Sequence, residues 1–244
     1  MKRTIHIKVP FGSKVTINRT ITTGNNNSNN MYNNYLYNNE VNTGHASKLQ
    51  ISTIKKVSNS VCKLTIKNFS GTGFFLKISN SFFLISNEHV LTKSFIDNKE
   101  ILAIETESGV KYNLILDKSI IKCFPDPIDV TAIRIKEDTF KDIEFLNLDM
   151  NCFNGSGFQQ YLGQDVYSIQ YPGDKSSSSI GMGKITLIKG FTFEHSVDTF
   201  FGSSGSPIIL SSSNNVIGIH KSGNSQLKTN FGTFLGKIFL ELLK

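Results

Sequence analysis

Short apolar, β-branched segments, separated by turns rich in Asn, Ser, Gly and Asp, constrain this chain more than any other feature. Val61–Ile66, Gly73–Ile78, Phe82–Ser86, Ile101–Glu107, Tyr112–Leu116 and Val130–Ile135 form one group, and Val166–Gln170, Lys184–Lys189, Ser206–Leu210 and Val216–His220 a second. Evenly spaced short strands with polar turns predict antiparallel barrels or sandwiches rather than a helical or α/β fold. The stretch Leu146–Gly163, broken by Asn151, Asn154-Gly155 and Gly157, separates the groups. The expected organisation is a tail over 1–47, an N-terminal β unit over 48–145 and a C-terminal one over 146–244. Only the C-terminus reads as helical. After Thr233 as cap, Phe234, Leu235, Ile238, Phe239 and Leu242 fall at helical spacing.

The tail differs in kind. Residues 4–9 and 14–18 suggest a hairpin around Pro10-Phe11-Gly12-Ser13, and 25–43 holds ten asparagines among nineteen residues. That segment has too little aliphatic content to build a core and reads as a low-complexity linker. The tail also carries +4 of the formal charge of +7. The other basic residues are dispersed, so the charge does not make a nucleic-acid footprint. No apolar run approaches membrane-spanning length, and the first residues lack the apolar block of a secretory signal. Cys62, Cys123 and Cys152 are odd in number and without CxxC spacing. They read as free thiols in a reducing, intracellular setting, with no zinc site.

Three segments carry candidate chemistry. In Phe201-Gly202-Ser203-Ser204-Gly205-Ser206-Pro207, two glycines permit positive φ and turn successive N–H groups toward one point, with Ser204 exposed at the corner. A nucleophile with an oxyanion hole needs that arrangement. Gly71-Thr72-Gly73 reads as a tight turn into apolar strands, the second of which ends at His89. Asp129 opens the strand Val130–Ile135, where a carboxylate requires a charged or hydrogen-bonding partner. Asp126, between two prolines, is its rival.

The strings Gly71–Phe74, Leu84–Val90, Asp129–Ile133 and Gly202–Pro207, in that order, resemble the motifs of the chymotrypsin-like serine proteases. The resemblance runs from about Val61 to Phe239. It implies an all-β fold of two antiparallel six-stranded β-barrels with a C-terminal helix, acting on protein or peptide substrates without metal or cofactor. It makes Ser204 the nucleophile, His89 the general base, Asp129 the residue that orients the imidazole, and the Gly202 and Ser204 N–H groups the oxyanion hole. Ser203 stands where the trypsin branch has an aspartate that pairs with a new N-terminus, so that activation switch is not expected.

His220, on the strand after the nucleophile, and Thr199, five residues before it, resemble the substrate-contacting pair of the glutamyl endopeptidases and of the picornavirus-type cysteine proteases. This implies cleavage after Glu, with Gln as the alternative. His6, His45 and His195 lack such context and read as surface residues. If Glu is the preferred residue, Glu40-Val41 in the linker is a candidate self-processing bond. The contrasting functional reading is an inactive relative that uses its barrels to bind peptides.

Overall fold

The structure, a computed structural model, describes residues 51–140, 143–173 and 177–242. All of them belong to the compact unit Ser47–Lys244. The expected hairpin, the Asn-rich linker and the Glu40-Val41 bond lie outside the described residues.

The chain begins with helix α1 (Ile51–Ser58) and continues into β1 (Val61–Ile66), β2 (Phe69–Ile78) and β3 (Ser81–Ser86). The short helix α2 (Lys93–Asp97) precedes β4 (Ile101–Thr106), β5 (Lys111–Ile115), β6 (Ile121–Phe124), β7 (Val130–Ile135) and β8 (Leu146–Asn147). Two 3₁₀ segments, Met150–Phe153 and Gly155–Tyr161, lead to β9 (Asp165–Gln170), β10 (Ser179–Lys189), β11 (Thr192–His195), β12 (Pro207–Leu210), β13 (Val216–Asn224) and β14 (Thr229–Phe234). Helix α3 (Gly236–Leu242) follows.

The second strand group closes into a six-stranded antiparallel barrel in the order β10-β11-β14-β13-β12-β9. The first forms a curled sheet, β5-β4-β1-β2-β3-β7-β6, to which β8 adds in parallel beside β2. It therefore has seven strands in its path instead of six, and β5 and β6 are its two edges.

Alternation along the central strands shows why they read as nearly unbroken apolar runs. Cys62, Leu64 and Ile66 of β1, Phe75 of β2, Leu84 of β3 and Ile133 of β7 fill the concave face of the sheet. Their neighbours Val61, Phe74, Leu76, Phe83, Ile85, Val130 and Ala132 turn the other way, into the core that also holds the barrel residues Tyr167, Ile169, Ile208, Ile219 and Phe234. Successive side chains of a strand face opposite sides, so a strand buried on both must be apolar throughout. β4 and β5 alternate exposed with less exposed positions and have only one covered face.

Three expectations need correction. Helix is not confined to the C-terminus, since α1 packs Ile54, Val57 and Ser58 at helical spacing. Thr233 is no helix cap: it lies in β14 and its hydroxyl donates to the Ile128 carbonyl at 2.9 Å. The stretch Gly71-Thr72-Gly73 lies inside β2, not in a turn. Glycine is needed there for space. A Cβ at Gly71 would stand 2.8 Å from Val90, and one at Gly73 would stand 2.7 Å from Leu64.

Candidate active site

His89 sits in the turn that leaves β3, and Asp129 immediately precedes β7. β3 and β7 are paired in register, Ser86 opposite Thr131, so both corners open at the same end of the sheet. His89 Nδ1 lies 2.8 Å from Asp129 Oδ2, and the His89 backbone N–H donates to Asp129 Oδ1 at 3.0 Å. Asn87 Nδ2 donates to the Asp129 carbonyl at 2.8 Å. The Asp129 carboxylate is buried while the His89 ring is half exposed, so a buried acid is compensated by a partner that still reaches the cleft. Asp129 holds φ at +56°, a left-handed conformation that Asp tolerates better than most residues. Its rival Asp126 turns away and pairs with Lys221 Nζ.

The Ser204 turn is held by main chain. Gly202 and Gly205 take φ of +90° and +89°. A Cβ at Gly205 would lie 2.1 Å from the Thr72 carbonyl, and one at Gly202 would lie 2.7 Å from that of Tyr171. The Ser203 N–H donates to the Phe200 carbonyl, the Phe200 N–H donates to Ser203 Oγ, and the Ser206 N–H closes onto the Ser203 carbonyl. The Gly205 N–H donates to the His220 carbonyl and the His220 N–H to that of Ser206, tying the turn to β13. Among the described residues, the N–H groups of Gly202 and Ser204 have no acceptor.

Thr72 joins the two halves. Its N–H donates to the Ser204 carbonyl at 2.9 Å and its hydroxyl to the Gly202 carbonyl at 2.8 Å, while Oγ1 accepts from the Tyr171 N–H at 3.0 Å. The glycine-flanked motif of β2 therefore braces the Ser204 turn from the opposite sheet. His89, Asp129, Gly202, Ser204, Thr199 and His220 all line one cleft of about 1070 Å³.

His220, which lines the cleft, meets buried His195 through Nδ1 and Nε2 at 3.2 Å. His195 is fully buried, which corrects its reading as a surface residue. Its signal was its place in β11, a four-residue strand too short to show alternation. Burial lowers the His220 pKa to about 4 and that of His195 to about 3, so both rings are neutral at pH 7. When His195 Nε2–H donates to His220 Nδ1, the His220 proton sits on Nε2, the nitrogen left for the cleft. The Thr199 hydroxyl donates to Asn230 Oδ1 at 2.9 Å, and Asn230 Nδ2 donates to the Val197 carbonyl at 2.7 Å. Asn230, Asp198 and Lys228 also line the cleft, and sequence reasoning named none of them. Asp198 adjoins Thr199 and was legible on that ground; Asn230 comes from another strand and was not. Among the described residues, no group of three His, Cys, Asp or Glu side chains is arranged to hold a metal ion. No helix among them is long and apolar enough to cross a membrane.

Residues 71–219 match the model of the trypsin-like peptidase domain. The chain belongs to that family. Over 62 residues, 25% of its length, the peptidase chain is 40% identical to the glutamyl endopeptidase of Staphylococcus aureus (strain MW2), and the match spans 19% of that relative. The fold is similar to that of the serine endoprotease from Yersinia pestis, with a TM-score of 0.59 at 12% identity, covering 78% of this chain and 65% of that one. It is also similar to the Rv3671c protease of Mycobacterium tuberculosis, with 0.56 at 15% identity, covering 78% and 91%. For the tobacco etch virus protease the TM-score is 0.52 at 19% identity, covering 78% and 79%.

Proposed function

We propose that this trypsin-like peptidase domain is a serine endopeptidase that works through an acyl-enzyme. The observation that carries the reading is the His89–Asp129 contact at 2.8 Å, on the same cleft as a serine flanked by two unengaged N–H groups. Ser204 Oγ attacks the scissile carbonyl carbon as its proton passes to His89 Nε2, and that proton then goes to the leaving amine. Water, activated by the same imidazole, hydrolyses the ester. Asp129 keeps the proton of neutral His89 on Nδ1 and stabilises the imidazolium that forms. The Gly202 and Ser204 N–H groups receive the oxyanion, a contribution of about 3–4 kcal/mol in comparable enzymes.

Thr199 and His220 make the pocket for the residue before the cleaved bond, with a side chain ending in a carboxylate or carboxamide, Glu or Gln. The name of the S. aureus relative, a glutamyl endopeptidase, supports the Glu side of this range. The substrates are proteins or peptides, and neither nucleic acid nor membrane insertion forms part of the reading. An intracellular setting belongs to the proposal as well, and the three free cysteines support it.

A fluorophosphonate probe tests the assignment. Labelling of wild type, abolished in Ser204→Ala, is the expected result. A wild type that stays unlabelled while correctly folded overturns it in favour of a peptide-binding module.

A further inference from the structure

Resting on the peptidase reading, the hydrogen-bond network behind the pocket decides between its two candidate substrates. The Val197 carbonyl can only accept, so the group facing it at 2.7 Å must be the Asn230 NH₂. That fixes the amide orientation without choice, and Oδ1 faces Thr199. Oδ1 can also only accept, so the Thr199 proton is committed to it at 2.9 Å. What Thr199 can offer the cleft is therefore a lone pair.

The surrounding charges point the same way. His220 is neutral and its Nδ1 is occupied by His195, so the ring offers the cleft Nε2 alone, a donor when His195 Nε2–H is the donor of the pair, and no positive charge. Asp198 lines the cleft next to Thr199, is exposed, and has no ion-pair partner among the described residues. Of the two cleft lysines, Lys221 is paired with Asp126, and Lys228 is exposed like Asp198, so that solvent screens both. A carboxylate entering this pocket would meet a Thr199 lone pair and no fixed positive charge. A carboxamide would place its NH₂ against Thr199 Oγ1 and, with the His220 proton on Nε2, its oxygen on that N–H.

We propose that Asn230 is a specificity-positioning residue: by taking the Thr199 proton it makes the pocket read glutamine in preference to glutamate before the cleaved bond. Asn230 acts here by fixing the Thr199 proton, so its effect is on selectivity.

The test uses the full chain and matched peptides that differ only in Gln, Glu, Lys or Arg at that position. Wild type should show kcat/KM at least tenfold higher for Gln than for Glu. Asn230→Ala releases the Thr199 proton and should reduce that ratio to near unity, mainly through KM. Thr199→Val should do the same, Thr199→Ser should preserve the ratio, and Asn230→Ala combined with Thr199→Val should add nothing further. Exposed Asp198→Asn, which does not depend on Asn230 variants folding, should leave the ratio within about twofold of wild type, since solvent screens that charge. A wild type that cleaves equally well or better after Glu, Lys or Arg overturns the inference. If Ser204 is labelled by the fluorophosphonate in that case, only the pocket assignment falls. If it is not labelled and no peptide is cut, the peptidase reading falls and this one with it.

Discussion

The His89 corner and the Ser204 turn face one cleft but are built differently. At His89 the geometry is made by side chains: both carboxylate oxygens of Asp129 are engaged, one by the imidazole and one by the His89 N–H, and Asn87 holds the Asp129 carbonyl. At Ser204 it is made by main chain. Two glycines at positive φ and a set of backbone hydrogen bonds set the turn, with Thr72 reaching across from the other sheet. Substitution at the first site should therefore alter chemistry while sparing the fold. Substitution in the glycines of the second should damage both.

The largest effect expected is loss of the proposed nucleophile. Ser204→Ala should lower kcat by about 10⁶ with unchanged thermal stability, as removal of a catalytic serine does in comparable enzymes. Steady-state assays with calorimetry check this, and residual activity near wild type would break the comparison at its root. Asp129→Asn comes next, at about 10⁴ in kcat, because the amide favours the wrong tautomer while preserving shape. Near-normal turnover there would remove Asp129 from the corner.

Gly205→Ala sharpens the contrast. Its Cβ would collide with the Thr72 carbonyl at a φ of +89°, so both turnover and folding stability should fall, the latter by roughly 2–4 kcal/mol. Denaturant titration with a parallel assay would show it, and a stable but inactive variant would mean the turn is less rigid than its contacts imply. Thr72→Val keeps the shape and deletes the hydroxyl that serves Gly202 and Tyr171. It should cost about 1–3 kcal/mol and a smaller share of turnover.

The mildest test concerns pH. Burial holds the His220 and His195 pKa values near 4 and 3, below the ordinary 6.5. As pH falls below about 6.5 the unfolded chain takes up these protons first. The stability linked to the two rings is complete above that pH and is lost between about 6.5 and the folded values of 4 and 3. Urea denaturation at graded pH should show this decline in wild type and a shallower one in His195→Gln. Equal slopes would mean His195 contributes nothing to it.

Legibility in the sequence followed burial. β1 and β7 run over the residues that apolar patterning assigns them, since strands buried on both faces leave continuous hydrophobic runs. β6 and β11 were missed because four residues hold too few alternations. β14, Thr229-Asn230-Phe231-Gly232-Thr233-Phe234, was missed because its polar and glycine positions fit the cleft and the Phe193 ring rather than a uniform core. α1 was hidden by Ile51, Thr53, Ile54 and Val57, β-branched residues whose propensity is overridden by packing of one helical face.

By itself the sequence determined the all-β class, the order of His89, Asp129 and Ser204 on strand-end corners, and the two glycines of the Ser204 turn. Those properties are written locally, in alternation, in turn residues and in the need for positive φ. Tertiary structure decided that one sheet closes while the other stays open, that Thr72 braces the turn, and that His195 and Asn230 stand behind His220 and Thr199. These are pairings across 25 to 130 positions of chain, and residue identity carries no record of which distant group will accept a given proton.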